Sequence, residues 1–292
     1  MEIKFINRST GKTELETPPA EGLLKFLYDN PFGKKTVLPL AKRKFFSATI
    51  GKKMNKSKSV KKIAEFVRTM KIDMSESQKK INEFTSFNDF FYRKLKPESR
   101  SIGQGFVSPG DGRLLAFESV ADVNTFFIKG REFTLPEFVG DQNVAEKHKN
   151  DSMFILRLAP NDYHRFHFPY QGTPAETIKI KGDYFSVSPY ALVGNFTKVF
   201  CENKREICKL NTADKGEVLL IPVGATLVGT IIETYTPKSE IRSGDEMGYF
   251  AFGGSTIVVF IDKNKIQIDQ DLLINTKNKL ETLVKMGERI GL

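Results

Sequence analysis

Two short segments of the sequence hold residues suited to acid–base chemistry. Residues 108–112 (SPGDG) place the carboxylate of Asp111 between two glycines, and such a segment alone is typical of a β-turn with aspartate as turn former. Residues 160–169 (PNDYHRFHFP) contain His164 and His167, two of the three histidines. Two imidazoles in an aromatic setting can act as general acid and general base near neutral pH.

His164 and His167 can act in one site only if their side chains point to the same side of the chain. On a regular strand, His164 and His167 point to opposite faces, so a turn or bulge is needed near Pro160 and Asn161. The alternative is one buried and one solvated histidine. The third histidine, His148, lies in the charged stretch EKHKN, far away in sequence. We therefore expect no bound metal.

A third segment offers a nucleophile beside flexible backbone. Gly253 and Gly254 precede Ser255 and Thr256, and the apolar run 257–261 follows. Two glycines can adopt strained backbone angles and allow close approach to the Gly254 carbonyl. Alone, the segment is typical of an ordinary turn. It does not match the G-x-S-x-G elbow of hydrolases, because a predicted strand follows the serine and the second glycine is missing.

The first hundred residues, which precede these segments, have a mainly helical pattern. After a strand-like start (IKFINR), apolar residues recur at helical spacing, and two serines give helix start signals. The apolar residues are Val60, Ile63, Ala64, Val67 and Met70, and the serines are Ser75 and Ser86.

From Gly105 onward the pattern changes to short runs rich in Val, Ile, Phe and Thr. The small residues of 223–229 are typical of close backbone packing in a sheet or barrel. The runs cover residues 125–130, 152–159, 176–187, 198–210, 216–233 and 255–269. The sequence therefore predicts an α+β fold, with a helical N-terminal region (1–100) and a β-rich catalytic domain (101–292) of mainly antiparallel sheets.

Positive charge is concentrated in one part of the chain. The net charge is +10, but residues 34–71 alone contain thirteen lysines or arginines against one acid, Glu65. The remainder is close to neutral, so this basic segment indicates a polyanionic partner, either anionic lipid or nucleic acid. Phe45, Phe46 and Ile50 lie beside the charges, a combination that suits the interface of an anionic bilayer.

The sequence lacks the features of a membrane-spanning or disulfide-bonded protein. Its longest uncharged apolar run, residues 218–232, contains Pro222 and is shorter than the eighteen residues or so that a spanning helix needs. Membrane contact is therefore expected to be peripheral. Two cysteines, Cys201 and Cys208, predict free thiols in a reducing, intracellular setting.

Taken in order and spacing, these segments resemble the phosphatidylserine decarboxylase family over roughly residues 84–292. Many members of that family carry leucine at the position of Gly253, and some have a membrane-spanning or targeting segment that this chain lacks. The matching segments are Phe91-Tyr-Arg-Lys-Leu95, Asp111-Gly112, Tyr163-His164-Arg165-x-His167, Gly182 to Val187, Asn203-Lys-Arg205, Val223 to Thr226, Glu246-Met-Gly248 and Gly253 to Thr256.

The resemblance implies an enzyme that makes its own cofactor. It assigns Asp111, His167 and Ser255 to a triad that cuts the chain between Gly254 and Ser255 and turns the serine into a covalent pyruvoyl group. His164 is then the residue expected to act in decarboxylation. Phosphatidylserine would bind through a Schiff base with the pyruvoyl group and lose carbon dioxide to give phosphatidylethanolamine.

The resemblance also implies the partners and the location. The two cleaved chains are expected to stay together as a heterodimer, and whether a homo-oligomer forms is left open. With the basic segment, the expectation is a lyase of phospholipid biosynthesis on the cytoplasmic side of the cell membrane, attached peripherally to an anionic surface and independent of nucleic acid.

Other functions are compatible with parts of the sequence. Relatives of this family decarboxylate free aromatic amino acids with the same pyruvoyl chemistry. A serine hydrolase could use the same three residues but lacks the elbow. A non-catalytic protein that binds anionic lipid or nucleic acid through the basic segment would leave the histidines, the aspartate and the Gly-Gly-Ser-Thr segment unexplained.

Overall fold

The computed structural model describes residues 3–16, 51–126, 132–183, 185, 196–225, 230–251 and 255–292. The strands are β1 (Ile3–Asn7), β2 (Lys12–Glu16), β3 (Phe106–Val107), β4 (Gly112–Phe117), β5 (Ser152–Leu158), β6 (Arg165–His167), β7 (Thr173–Pro174), β8 (Ile178–Ile180), β9 (Arg205–Asn211), β10 (Glu217–Gly224), β11 (Ile231–Glu233), β12 (Glu246–Phe250), β13 (Ser255–Ile261), β14 (Glu281–Val284) and β15 (Arg289–Gly291). The α-helices are α1 (Ile63–Met70), α2 (Phe87–Phe91), α3 (Asp122–Phe126), α4 (Leu135–Val139), α5 (Gln142–His148), α6 (Phe196–Glu202) and α7 (Gln270–Lys277).

A ten-stranded sheet forms the centre of the molecule. Its order is β2-β1-β14-β4-β5-β13-β10-β9-β7, and β8 also pairs with β9. All pairs are antiparallel except β1 with β14. Smaller sheets are formed by β11-β12-β6 and by β15-β3. The predicted α+β class with mainly antiparallel sheets is confirmed.

Both faces of the central sheet are covered. Along β13, Val258 and Phe260 join one hydrophobic cluster, which includes residues of α4 and α6. Ile257, Val259 and Ile261 join the cluster on the other face, with β12 and α7. Because successive side chains of a strand point to opposite faces, a strand covered on both sides must be apolar throughout. This is why residues 257–261 form an uninterrupted apolar run.

The described part of the N-terminal region beyond residue 50 is helical and packs through its own aromatic cluster. As predicted, Ser86 begins α2, because its hydroxyl accepts a hydrogen bond from the Asp89 amide (3.1 Å). The signal at Ser75 is not used. Asp73 instead accepts from the Ser75 amide (2.8 Å) and caps a single 3₁₀ turn. The buried cluster contains Ile63, Phe84, Phe87, Phe90 and Phe91.

Two predicted β runs are partly helical. Thr125 and Phe126 end α3, and the run that begins at residue 198 starts inside α6 and becomes strand β9 only at Arg205. Apolar and aromatic residues without a clear period fit a short buried helix as well as a strand, so composition alone did not separate the two.

Three further predictions concern membrane-spanning helices, the thiols and metal binding. Within the described ranges, no helix is both long and apolar enough to cross a bilayer. In the same ranges, Cys201 and Cys208 are buried thiols and are not joined in a disulfide. The same ranges contain no cluster of three or more His, Cys, Asp or Glu side chains that could hold a metal ion.

Candidate active site

Ser255 is the first residue of β13 and is held from both sides. Its Cα pairs with Gly224 of β10 and with Leu158 of β5. The residue is fully buried, and its Oγ has no hydrogen-bond partner among the residues that the structure describes. Gly253 and Gly254, the other half of the predicted cleavage site, lie outside the described residues.

The turn that carries Asp111 lies against the strands beside Ser255. A methyl group at Gly110 would be 3.4 Å from Leu156 of β5 and 3.6 Å from Ile257 of β13. At Gly112, an added Cβ would come within 2.6 Å of the Arg157 carbonyl oxygen, so the close approach of β4 to β5 requires glycine there.

The Asp111 carboxylate is buried and bonded mainly to an arginine. Arg100 donates to it through Nε (3.0 Å) and a terminal nitrogen (2.5 Å), and the backbone amide of Met286 donates to Oδ1 (2.8 Å). Arg100 also pairs with Glu76 (2.9 Å). The strongest contacts of Asp111 are therefore with Arg100 and the backbone rather than with a histidine.

His167 adjoins the same turn. Its amide donates to the Pro109 carbonyl (2.7 Å), which ties β6 to the segment of Asp111. On the ring, Nδ1 donates to the Gly244 carbonyl (2.8 Å), and this bond leaves Nε2 as the acceptor for the Tyr163 hydroxyl (3.1 Å). Burial lowers the pKa of His167 more than the Gly244 carbonyl and nearby carboxylates raise it. The ring is therefore neutral near pH 7.

His164 is fully buried in an aromatic setting. Its ring lies against Phe91 of α2, with 3.9 Å between the centroids, and Nδ1 donates to the Asp162 carbonyl (2.9 Å). The His164 carbonyl accepts from the Phe250 amide at the end of β12 (2.9 Å). The α2 helix of the N-terminal region thus supplies one wall around this histidine.

Both histidines are buried, so one of the two arrangements left open by the sequence is excluded. A turn closed by the Asp162 amide on the Ala159 carbonyl (2.9 Å) precedes them, and β6 begins only at Arg165. Arg165 then pairs with Glu246 (2.8 Å) and lies over the Tyr249 ring, which fixes β6 against β12.

Comparison with known proteins gives the same family as the sequence motifs. The family model described as phosphatidylserine decarboxylase matches residues 87–292. A protein of Fusobacterium nucleatum named phosphatidylserine decarboxylase proenzyme is 48% identical, with 99% of this chain and 97% of that protein covered. The chain belongs to the phosphatidylserine decarboxylase family.

Further relatives agree with this family membership. Proteins of Clostridium botulinum (strain Alaska E43) and Clostridium perfringens (strain ATCC 13124), both named phosphatidylserine decarboxylase proenzyme, are each 44% identical. These matches cover 99% of this chain and 98% and 99% of the relatives. The likeness therefore extends beyond the family model into the N-terminal region.

In this family member, two contacts of the site could not be read from the sequence motifs. Tyr163 belongs to the recognised Tyr-His-Arg segment, but nothing in the sequence indicates that its hydroxyl bonds His167. Arg100 stands in no recognised segment, and the chain contains 45 lysines and arginines. A charge pattern does not identify which of them reaches Asp111.

Proposed function

We propose that the protein is a phosphatidylserine decarboxylase that cuts its own chain between Gly254 and Ser255 and converts the serine into a pyruvoyl group. Family membership supports the substrate and the reaction. The observation that carries the self-cleavage is the buried Ser255 hydroxyl, which has no hydrogen-bond partner within the described ranges. Buried hydroxyls are normally bonded, so this one calls for a functional explanation.

Self-cleavage is an attack within the chain. Ser255 Oγ adds to the carbonyl carbon of Gly254, the peptide C–N bond breaks, and an ester replaces the amide. Elimination at residue 255 releases the Gly254 carboxylate and leaves dehydroalanine. Hydrolysis of that group yields the pyruvoyl group and ammonia, and chains 1–254 and 255–292 remain together as a heterodimer.

We assign His167 as the base and Asp111 as the residue that supports it. The lowered pKa of His167 keeps its ring neutral and able to accept the hydroxyl proton of Ser255. The negative charge of Asp111 favours the protonated ring that results. For this step, Nε2 of His167 must exchange the Tyr163 hydroxyl for that of Ser255.

We assign His164 to the decarboxylation. A pyruvoyl group at residue 255 would supply the electron sink that loss of carbon dioxide from the substrate requires. The buried, unpartnered position of Ser255 fits such a group. The bond from Nδ1 of His164 to the Asp162 carbonyl sets the tautomer in which Nε2 is the basic nitrogen. This nitrogen can move a proton at the α-carbon of the substrate.

We further propose peripheral attachment to the cytoplasmic side of the cell membrane. Six lysines between residues 52 and 62 are exposed. They lie in the segment that precedes α2, the helix that contacts His164. Their positive charge would attract anionic lipid. The membrane, which contains the substrate, would then face the side of the protein that carries the N-terminal helices. The residues of the basic segment before 51 lie outside the described ranges.

The deciding experiment is the intact mass of the purified protein under denaturing conditions. We expect two chains, 1–254 and 255–292, the shorter one lighter than its encoded mass by one ammonia. Ser255→Ala, His167→Ala and Asp111→Ala should each leave the chain uncut. His164→Ala should still cut itself but decarboxylate phosphatidylserine slowly.

Thr256 provides a matched control. Its hydroxyl is also buried and has no partner among the described residues, so Thr256→Val tests whether any such hydroxyl matters. This variant should still cut itself. Two chains from Ser255→Ala would overturn the proposal, and a product assay with free aromatic amino acids would test the other pyruvoyl-dependent substrate.

A further inference from the structure

A cleft of about 770 Å³ opens beside the candidate site. Asp111 and Tyr163 form part of its wall, together with the loop after α1 and strand β2. Many charged side chains line it, and most of them neutralise one another. Arg100 pairs with Glu76 and Asp111, and Arg113 pairs with Asp162 and Glu16.

Arg93 is the exception among the arginines of this cleft. Its side chain is buried, with the residue only 6% exposed, and it forms no ion pair with any residue that the structure describes. One terminal nitrogen makes a long contact with the Asn161 carbonyl (3.5 Å), and the guanidinium lies over the Phe90 ring. Within the described ranges, Nε has no hydrogen-bond partner.

An arginine in this state has unused binding capacity. A guanidinium presents N–H donors in a planar fork that matches two oxygens of a phosphate or carboxylate. Burial lowers the pKa of Arg93, although the charges of Asp111, Asp162 and Glu76 oppose the effect. A buried cation without a paired anion is unfavourable, so an anionic ligand that enters the cleft would gain a strong, desolvated partner.

Arg93 also lies close to residues of the proposed active site. Arg93 contacts the carbonyl of Asn161. Asn161 is three residues after Leu158, which pairs with Ser255 in the sheet. Phe91, two residues before Arg93, lies against the His164 ring. The same two segments therefore carry the guanidinium and the residues of the proposed active site.

We propose that Arg93 binds the phosphodiester of the phospholipid headgroup, an inference that rests on the proposed function. The substrate headgroup carries two anions, a carboxylate and a phosphodiester. A guanidinium bonded to the carboxylate would stabilise the ground state and oppose its loss as carbon dioxide. A guanidinium bonded to the phosphodiester holds the substrate without that penalty.

The test measures binding of sn-glycero-3-phosphoethanolamine, a soluble molecule with the product headgroup, by calorimetry. We expect Arg93→Gln to weaken binding by about tenfold or more, because a charge-assisted hydrogen bond is lost from a buried site. Ethanolamine, which lacks the phosphodiester, should bind the wild type no better than the variant. Arg68→Gln, the same charge change on an exposed residue of α1, should have no effect.

Self-cleavage is the folding control. Arg93→Gln protein that separates into two chains has formed the site around Ser255, and its KM for phosphatidylserine in detergent micelles should rise more than kcat falls. If Arg93→Gln does not fold, Arg93→Lys keeps the charge but loses the fork, and it should still bind more weakly than the wild type.

The outcomes separate this inference from the proposed function. Unchanged affinity in a folded Arg93 variant would overturn the phosphodiester assignment even if the enzyme decarboxylates phosphatidylserine. Inorganic phosphate that binds the wild type as tightly as the headgroup would assign the site to free phosphate and also overturn it. Arg93-dependent headgroup binding without decarboxylation would leave the site standing and refute the proposed activity.

Discussion

The Tyr163 hydroxyl lies 3.1 Å from Nε2 of His167, so a phenol occupies the ring nitrogen that would take the proton of Ser255. Burial raises the pKa of Tyr163, and its hydroxyl therefore stays protonated and donates this bond. The bond holds His167 in its neutral form, since a protonated imidazole cannot accept it. Tyr163 thus stabilises the neutral form of the proposed base, His167, before the Ser255 hydroxyl bonds to it.

The first prediction concerns the pH dependence of self-cleavage. His167 can accept a proton only when it is neutral, and burial lowers its pKa from the ordinary 6.5. The rate should therefore remain high as the pH falls to 6.5 and decline only below it. Newly translated precursor, diluted into a series of buffers and sampled on denaturing gels, gives this profile. A decline that begins well above 6.5 would contradict a buried histidine base.

The second prediction is for Tyr163→Phe. Loss of the donor removes the stabilisation of the neutral ring, so the pKa of His167 should rise and the acidic limb of the profile should move to higher pH. The plateau rate should change less than about tenfold, because a neutral hydrogen bond contributes only about 1 kcal/mol net. The same gel assay measures both quantities.

Tyr170→Phe is the matched control for this variant. The Tyr170 hydroxyl also donates to a side chain, but its acceptor is the carboxylate of Asp214 and the pair is exposed. Its profile should coincide with that of the wild type. If Tyr163→Phe and Tyr170→Phe gave the same profile, the contact with His167 would have no role in cleavage.

The third prediction concerns stability at Asp111. Arg100 and Asp111 are each only 6% exposed at the side chain, and Arg100→Gln leaves the carboxylate without its bidentate partner. Loss of one member of a buried pair typically destabilises by about 3–5 kcal/mol. Urea unfolding in the Ser255→Ala background measures this cost on a single, uncut chain.

Lys238→Gln in the same background supplies the comparison. Lys238 pairs with Glu176, and both side chains are about three-quarters exposed (76% and 75%). An exposed pair contributes at most about 1 kcal/mol. Equal losses from the two variants would mean that the contact between Arg100 and Asp111 is no stronger than a surface ion pair.

The sequence predicted the elements whose pattern is local. The apolar run after Ser255 indicates a buried strand because both faces of β13 are covered, and Ser86 marks the start of α2 because its own hydroxyl caps the helix. By contrast, β2 reads KTELE and lacks an apolar face, so nothing local indicates a strand. It forms through its pairing with β1, which joins β14 from the far end of the chain.

In the candidate site, too, the sequence indicates what depends on local pattern but not what depends on tertiary contacts. Residue types and spacing identified Asp111, His164, His167 and Ser255 as candidates, and the turn before β6 explains how both histidines become buried. The hydrogen bonds among them depend on tertiary contacts. Whether Asp111 faces a histidine or Arg100 is decided by how segments far apart in the chain pack, and a sequence pattern does not contain that information.

The fourth prediction tests membrane attachment. Replacing exposed lysines of the N-terminal region by glutamine should weaken binding to phosphatidylglycerol vesicles, by up to about 1 kcal/mol for each lysine near the surface. Sedimentation with vesicles measures the loss, and binding of the wild type should fall as salt is added.

Four exposed lysines of the β-rich part, changed in the same way, control for net charge and should have a smaller effect. Equal losses, or wild-type binding that is indifferent to salt, would refute a membrane role for this region. The test set is Lys52, Lys53, Lys58 and Lys61, and the control set is Lys238, Lys263, Lys265 and Lys277.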